Sequence, residues 1–240
     1  MNPGTAALVR GLAVLDALAD PRVGSEGLGV VNLAALVGGD KSQMSRTLQT
    51  LDEHGYVSRD PDTLAYRLGW HVFGLAARAT DRKLLDATRP VLRDLVTAFG
   101  ESVHLSVREG NAVLTLLSES PTATLHAPGR VGGLTPLATT SAGRVLVSDL
   151  AESELDALGL GDALSAVAAA AERGYAIVRE EFEPGLVAAA APIRGVSGAI
   201  VAALNVSAPL FRFDERLEES ARHLMVAADS VSVAIGGTPR

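Results

Sequence analysis

The chain has 240 residues, 48% of them hydrophobic and 20% charged, with a formal net charge of −7. That balance belongs to a globular protein able to bury a core in one large or two small domains, and it excludes a disordered tail. The absence of cysteine excludes disulfides and thiolate metal ligands, and the acidic surplus excludes a protein that holds nucleic acid by bulk charge alone.

No apolar run reaches membrane-spanning length, and Met1-Asn2-Pro3-Gly4-Thr5 lacks the start of a signal peptide, so a cytoplasmic protein is expected. From Thr5 to Ala19, Leu8, Leu12, Leu15 and Leu18 recur near helical spacing, with Val9 and Val14 widening the stripe. This predicts a helix with apolar surface for its own domain and for a partner. Asp20-Pro21 ends it, and 22–29 reads as loop. Val30 to Val37 predicts a short helix, with Asn32 as its cap. Gly38-Gly39 then permits a sharp turn into Asp40–His54, where Met44, Leu48 and Leu51 fall on one face. Asp40 can cap this helix, and Gln43 stands at capping-box spacing from it. The opposite face carries Ser42, Gln43, Arg46, Gln49 and Thr50, with no carboxylate before Asp52.

Helix, glycine turn and a second helix with one anchoring and one hydrogen-bonding face form the helix-turn-helix pattern, although a plain surface helix shows the same periodicity. The next stretch of chain favours the helix-turn-helix. After Gly55, two alternating segments, 56–59 and 64–68, flank the turn-rich Asp60-Pro61-Asp62-Thr63, which predicts a hairpin. A recognition helix followed by a hairpin is a winged helix-turn-helix. Lys41, Ser42, Gln43, Arg46 and Gln49 are then the residues that enter or border the major groove of double-stranded DNA. Arg46 is the guanine reader, and Arg59 and Arg67 on the wing meet phosphate. Residues 1–69 hold six basic and eight acidic side chains, a balance of −2, so binding must rest on a few placed contacts and on dimerisation.

Trp70 to Arg82 predicts a linker helix containing the single tryptophan, a residue type that at such a place marks a buried hinge or a dimer contact. Leu84 to Phe99 is a further amphipathic helix, with Pro90 tolerable as a kink or near a helix start. From Ser102 the period changes. Val103–Val107, Ala112–Ser118 and Thr122–His126 read as strands, the first two joined at Gly110-Asn111, and 129–139 reads as a long loop. Helices are predicted over 141–150, 152–158 and 162–173, strands over 175–178, 186–193 and 199–207, and a closing helix over 214–234. A mostly antiparallel sheet with segregated helices makes the whole chain an α+β protein of two domains. The division is 1–69 for the winged domain, 70–83 for the linker and 84–240 for the sensor.

No enzyme motif is present. The histidines at 54, 71, 104, 126 and 223 lack metal-ligand spacing, and no nucleophile elbow, phosphate loop or dinucleotide fingerprint occurs. His104 reads as a satisfied core or pocket-wall residue, and Glu180-Glu181 with Glu183 as solvated surface. Neither catalysis nor a metal or cofactor is expected.

Over nearly its full length the chain resembles the IclR family of bacterial transcription regulators. The N-terminal part matches in element order and in LDEHGYVSRD at 51–60. The C-terminal part matches in GGLTPLATTSAGRVL at 132–146, and in Gly174-Tyr175-Ala176, Glu180-Glu181, Gly185, Ala189 to Pro192, Gly198 and Ser207-Ala208-Pro209. The resemblance implies a homodimer or dimer of dimers that binds an operator, with a GAF-like (profilin-like) C-terminal domain taking a small-molecule effector. It selects Thr140, Ser141, Ala142, Val178, Ala188, Asn205 and Ser207 as the effector pocket. Free N–H groups at a helix start over 140–142 suit a polar or anionic ligand group, while simple N-capping accounts for the same residues. Ala138, Val178 and Ala188 stand where the family often carries histidine, aspartate and cysteine, and Gly143-Arg144 replaces its Gly-Lys step. These exchanges imply a roomier, more apolar pocket. The expectation is a repressor of a catabolic gene cluster answering to an aromatic or other organic acid or an amide-like metabolite. An enzyme with an accessory helical domain, and an interaction module that has lost DNA binding, are the competing readings.

Overall fold

The structure is a computed structural model describing residues 3–79, 82–121 and 131–239. It divides into two compact units, Met1–Asp81 and Arg82–Arg240. In the first, α1 (Pro3–Ala19) leads through a 3₁₀ turn at Pro21–Glu26 to α2 (Val30–Val37) and α3 (Lys41–Glu53). The hairpin of β1 (Val57–Arg59) and β2 (Tyr66–Leu68) comes next, and then α4 (Trp70–Ala79). Its core takes Val14 and Leu18 from α1, Leu33 from α2, Met44 and Leu48 from α3, and Val57 and Tyr66 from the hairpin. The periodic apolar positions of three helices thus meet at one point.

Two details depart from expectation. Asn32 does not cap α2; Gly29 occupies the N-cap with no side-chain bond, and Asn32 lies inside the first turn. The segment 22–29 is more than loop, because Leu28 and Tyr66 exchange backbone hydrogen bonds of 3.0 and 2.8 Å and so form an isolated antiparallel bridge to the wing. Gly27 makes this approach possible: its φ is +74°, and a Cβ there would lie 2.3 Å from the Tyr66 carbonyl oxygen.

The second unit opens with α5 (Arg82–Phe99), β3 (Ser102–Glu109), β4 (Ala112–Glu119) and β5 (Leu134–Pro136). After these come α6 (Ser141–Leu146), α7 (Glu152–Ala157), α8 (Leu164–Arg173), β6 (Ala176–Arg179), β7 (Leu186–Arg194) and β8 (Ile200–Pro209), then α9 (Leu210–Phe213) and α10 (Leu217–Ala234). The strands form one six-stranded sheet in the order β5-β4-β3-β8-β7-β6, antiparallel at every pairing. Gly110-Asn111 makes the predicted two-residue hairpin loop, with Glu109 opposite Ala112. Part of the expected long loop is the edge strand β5, which pairs with β4. The expected strand at Thr122–His126 lies outside the described residues. Pro90 sits well inside α5, where it forfeits a backbone bond; burial of Leu84, Leu92, Leu95 and Phe99 holds the helix on the sheet instead.

Helices cover both faces. On one, α5 and α10 pack Leu92, Phe99, Leu217, Leu224 and Val231 against Val103, Leu105, Leu204 and Val206. On the other, α6 to α8 pack Ala142, Val145, Leu155 and Val167 against Val113, Ala176, Ala190 and Ala203. Alanine on the strands keeps this second face shallow and lets α6 settle close to it. The predicted helix over 141–150 stops at Leu146, with Val147 as C-cap. Arg216 donates to the carbonyls of Phe99 and Ala98 at 3.1 and 3.2 Å, closing the C-terminal end of α5.

Gly143 tests how tightly α6 is seated. A Cβ at this position would stand 2.3 Å from the Leu137 carbonyl oxygen and 2.5 Å from its Cα. Gly143→Ala is therefore expected to destabilise the protein by about 1–3 kcal/mol, read as a lower urea midpoint with an unchanged slope.

Candidate DNA-reading and effector sites

The recognition helix is fixed by its start and its buried face. Asp40 caps α3, its carboxylate accepting from the Gln43 N–H at 2.9 Å. Met44 and Leu48 are fully buried. These anchors turn Lys41, Ser42, Arg46 and Gln49 outward into solvent, with Gln43 half-buried at the edge. Gln49 donates to Glu53 at 2.9 Å, so the one glutamate of α3 is drawn back along the helix. The exposed face retains Lys41 and Arg46 as its cations.

On the wing, β1 and β2 pair Ser58 with Arg67 and Arg59 with Tyr66. Alternation along each strand puts Arg59 and Arg67 on opposite sides of the hairpin. Arg59 lies over the Tyr66 ring, 5.6 Å from its centroid. Arg67 is held by Asp60 at 3.1 Å. Asp60 also accepts from the N–H groups of Thr63 and Asp62 at 2.9 and 3.0 Å. The Thr63 bonds, ahead of Arg67, hold its carboxyl below the ordinary range. Arg67 can meet a phosphate through its remaining N–H groups or by exchanging this pair for it.

The effector-site residues lie on one side of the sheet. Val178, Ala188, Ser207 and Ser102 form a single cross-strand row over β6, β7, β8 and β3. Asn205 stands two residues along β8, opposite Ala190 and His104, and α6 lies over β7 and β8 on the same side. Val178 is buried, whereas Ala188, Asn205 and Ser207 keep accessible surface. So do Ser118 on β4 and Ser120 just after it. An accessible polar patch therefore lies on this side of the sheet.

Hydrogen bonds organise this patch. His104 is 6% exposed, with Nδ1 3.0 Å from the Ser118 hydroxyl and Nε2 3.0 Å from that of Ser207. Ser106 donates to Asn205 Oδ1 at 3.2 Å, and the Ser102 and Ser120 hydroxyls are 2.9 Å apart. Burial pushes the imidazole down to about 4, so it is neutral at physiological pH. The family resemblance selected Asn205 and Ser207 here, and sequence reading passed over Ser102, Ser106, Ser118 and Ser120. Their period-two spacing along β3 and β4 was the available signal.

Thr140 is committed elsewhere. Its hydroxyl caps α6 by accepting from the Gly143 N–H at 3.1 Å, and donates to the Pro136 carbonyl at 2.6 Å. Ser141 and Ala142 are buried. With only six residues in α6, the dipole argument for an anion at its start is weak, and the capping account describes Thr140 better. Nor are the acidic residues after β6 plain solvated surface. Glu181 is ion-paired with Arg144, whose Nε also donates to the Ala138 carbonyl at 2.9 Å. Glu180, at a positive φ of 58°, accepts from the Gly185 N–H at 2.8 Å.

A winged helix-turn-helix unit coupled in one chain to an α/β unit with a polar patch beneath a short helix defines a transcription regulator with a DNA-reading and a sensing half. Comparison with known proteins makes this particular. The family described as bacterial transcriptional regulator IclR C-terminal matches residues 76–233, and the IclR helix-turn-helix domain matches residues 7–61. The chain belongs to the IclR family. It is 30% identical to the HTH-type transcriptional regulator BhcR of Paracoccus denitrificans, over 99% of this chain and 89% of that one. It is 28% identical to the acetate operon repressor of Salmonella typhimurium, over 96% and 90%. Among solved structures, an IclR homologue of Microbacterium hydrocarbonoxydans complexed with 4-hydroxybenzoate shares the fold with a TM-score of 0.83, at 22% identity over 95% and 98% of the two chains. These homologues are regulators, not enzymes. No helix among the described residues is long and apolar enough to cross a membrane.

Replacing Asp40 removes the cap of α3, and Asp40→Ala is expected to cost about 1 kcal/mol, seen as earlier unfolding in urea. His104 binds a proton in the unfolded chain near pH 6.5 but in the folded chain only near 4. Its contribution is therefore complete above pH 6.5 and is lost as pH falls from 6.5 towards 4. It amounts to about 3 kcal/mol across that window. Denaturation of wild type and His104→Gln at pH 7 and pH 4.5 should show the smaller acid loss in the variant.

Proposed function

We propose that this chain is a ligand-responsive repressor of a catabolic gene cluster. In this reading α3 recognises an operator in double-stranded DNA through Lys41, Ser42, Gln43, Arg46 and Gln49, with Arg46 reading guanine and Arg59 and Arg67 on phosphate. Residues 1–69 form the reader, 84–240 the sensor, and 70–83 the joint through which a bound effector shifts the balance between DNA-competent and incompetent geometries. The similarity to the Salmonella acetate operon repressor supports the sign of regulation.

The observation that carries the sensing half is the accessible patch of Ala188, Asn205 and Ser207 on the sheet face that α6 covers. Thr140, Ser141 and Ala142 border that patch from α6, and Val178 supplies apolar wall at its edge. With Val178, Ala188 and Ala138 in place of larger polar groups, the space favours an aromatic or similar apolar body with a polar head over a two- or three-carbon keto acid. The Microbacterium homologue, complexed with 4-hydroxybenzoate, supports an aromatic acid as effector.

Self-association is part of the same reading. Leu8, Val9 and Leu12 on α1 are exposed, and on α4 Trp70 is 87% and Phe73 68% exposed, their rings edge-to-face. Apolar surface of this extent on one small unit is suited to a second copy, giving a homodimer or a dimer of dimers that reads two half-sites.

Fluorescence anisotropy on DNA from upstream of the gene, with excess sheared competitor, tests the reading half. Arg46→Ala is expected to lose about 1–3 kcal/mol of specific binding. No binding above competitor by either protein would leave the winged unit an interaction module. Calorimetry tests the sensing half: aromatic acids and amides should bind more tightly than glyoxylate or pyruvate, and the reverse order would refute this pocket assignment.

A further inference from the structure

Among the groups that sequence reading left without a role, His104 has the most informative surroundings. It is buried in mid-sheet, yet both ring nitrogens meet hydroxyls of residues that are only half-buried, Ser118 on β4 and Ser207 on β8. A neutral imidazole carries one N–H and one bare nitrogen. If Nε2 holds the proton, it donates to Ser207, whose own O–H is then free to donate to a ligand. Nδ1 must in that case accept from Ser118, leaving Ser118 only lone pairs. In the other tautomer the two serines exchange roles. The hydroxyls on either side of the ring are thus coupled: one can donate outward, and the other can only accept.

We propose that His104 sets the polarity of the effector pocket, so that the ligand class that fits carries a carbonyl or carboxylate acceptor at one end and a hydroxyl or amine donor at the other. This rests on the pocket assignment above and adds to it the residue that positions the two contacting serines. Asn205 gives the pocket a direction. Its Oδ1 is engaged by Ser106, so its carboxamide N–H₂ is the group left to offer, and it stands two residues from Ser207 on the same side of β8. Asn205 and Ser207 together make the acceptor-binding end, with Ser207 donating. Ser118 then takes the donor end of the ligand.

An effector with acceptors at both ends asks both serines to donate, which requires a proton on each ring nitrogen. Such a ligand must bring a proton with it. Among the described residues, the groups around the ring supply no substitute. From β3, β4, the residue after β4, and β8 it faces Ser102, Ser106, Ser118, Ser120, Asn205 and Ser207; Arg108, further along the same face of β3, is exposed and donates to the Gly110 carbonyl. Glu119 pairs with Val103 on the row that faces the opposite side of the sheet. Arg144, the charged residue of α6, is held by Glu181 and the Ala138 carbonyl. The described segment before α6, residues 131–139, contains no ionisable side chain.

The experiment is calorimetry of the full-length protein with 4-hydroxybenzoate, 4-methoxybenzoate and terephthalate, at pH 7 in two buffers of different ionisation enthalpy. The first probe should bind without net proton uptake and at least about tenfold more tightly than its methyl ether. Terephthalate should bind only with uptake of about one proton. In Ser118→Ala, the preference for the hydroxyl over the methoxyl should fall to within about twofold. Equal affinity of hydroxyl and methoxyl compounds in the wild type, or proton-free binding of terephthalate, overturns the proposal and leaves the pocket intact. Failure of all three probes to bind removes the pocket assignment as well. Ring nitrogen chemical shifts from ¹⁵N-histidine NMR give a ligand-free readout: one protonated and one bare nitrogen are expected at His104 at pH 7. An imidazolium there overturns the relay whatever the probes do, and His104→Gln identifies the signal.

Discussion

The pairing of β3 with β8 carries the C-terminal unit. It joins Ser102–Ser106 to Ala203–Ser207 and so stitches the β3/β4 hairpin to the β7/β8 pair across most of the domain's length. Strand alternation then sorts the side chains. Val103, Leu105, Leu204 and Val206 go to the side of α5 and α10, and Ser102, His104, Ser106, Asn205 and Ser207 to the side of α6. Shifting this register by one residue would put the histidine and serines into the apolar layer and the valines and leucines beneath α6. Burial of large residues on the first side therefore enforces the polar arrangement on the second.

Much of this was legible in the sequence because it is local. Met44, Leu48 and Leu51 announce a helix face, Asp40 its start, and Gly110-Asn111 a hairpin. What was not legible depends on partners distant in the chain. His104 reads as a histidine on an apolar strand until Ser207, 103 positions away, is placed beside it. The bridge at Leu28 comes from Tyr66, and the strand character of β5 from β4; neither segment has the length or alternation to declare itself. Asn32 looked like a cap because its residue type favours caps, but the helix begins earlier, at Gly29, where no side chain is available. The reading of 141–150 as one helix failed at Val147, where the chain turns to bury that side chain fully.

The winged unit shows how an acidic chain can present a DNA-reading face. Its carboxylates are not distributed at random around α3 and the wing. Asp40 is turned into the helix start, Glu53 is bonded by Gln49, Asp60 holds Arg67 and the turn of the hairpin, and Asp20 is engaged by Arg22. Several of the acids counted in the balance of this unit have structural partners, whereas Lys41 and Arg46 project from the exposed face. Net charge, a sum over the surface, says little about the field at one helix.

The lone tryptophan has a consequence of another kind. Trp70 opens α4 with most of its indole in solvent, packed edge-to-face on Phe73 alone among the aromatic rings described. All indole emission from this protein originates at that single position, at the start of α4. Its colour and its accessibility to a quencher such as iodide therefore report the wetness of one site. The molecule carries its own optical probe of whatever happens there, and no label has to be attached to read it.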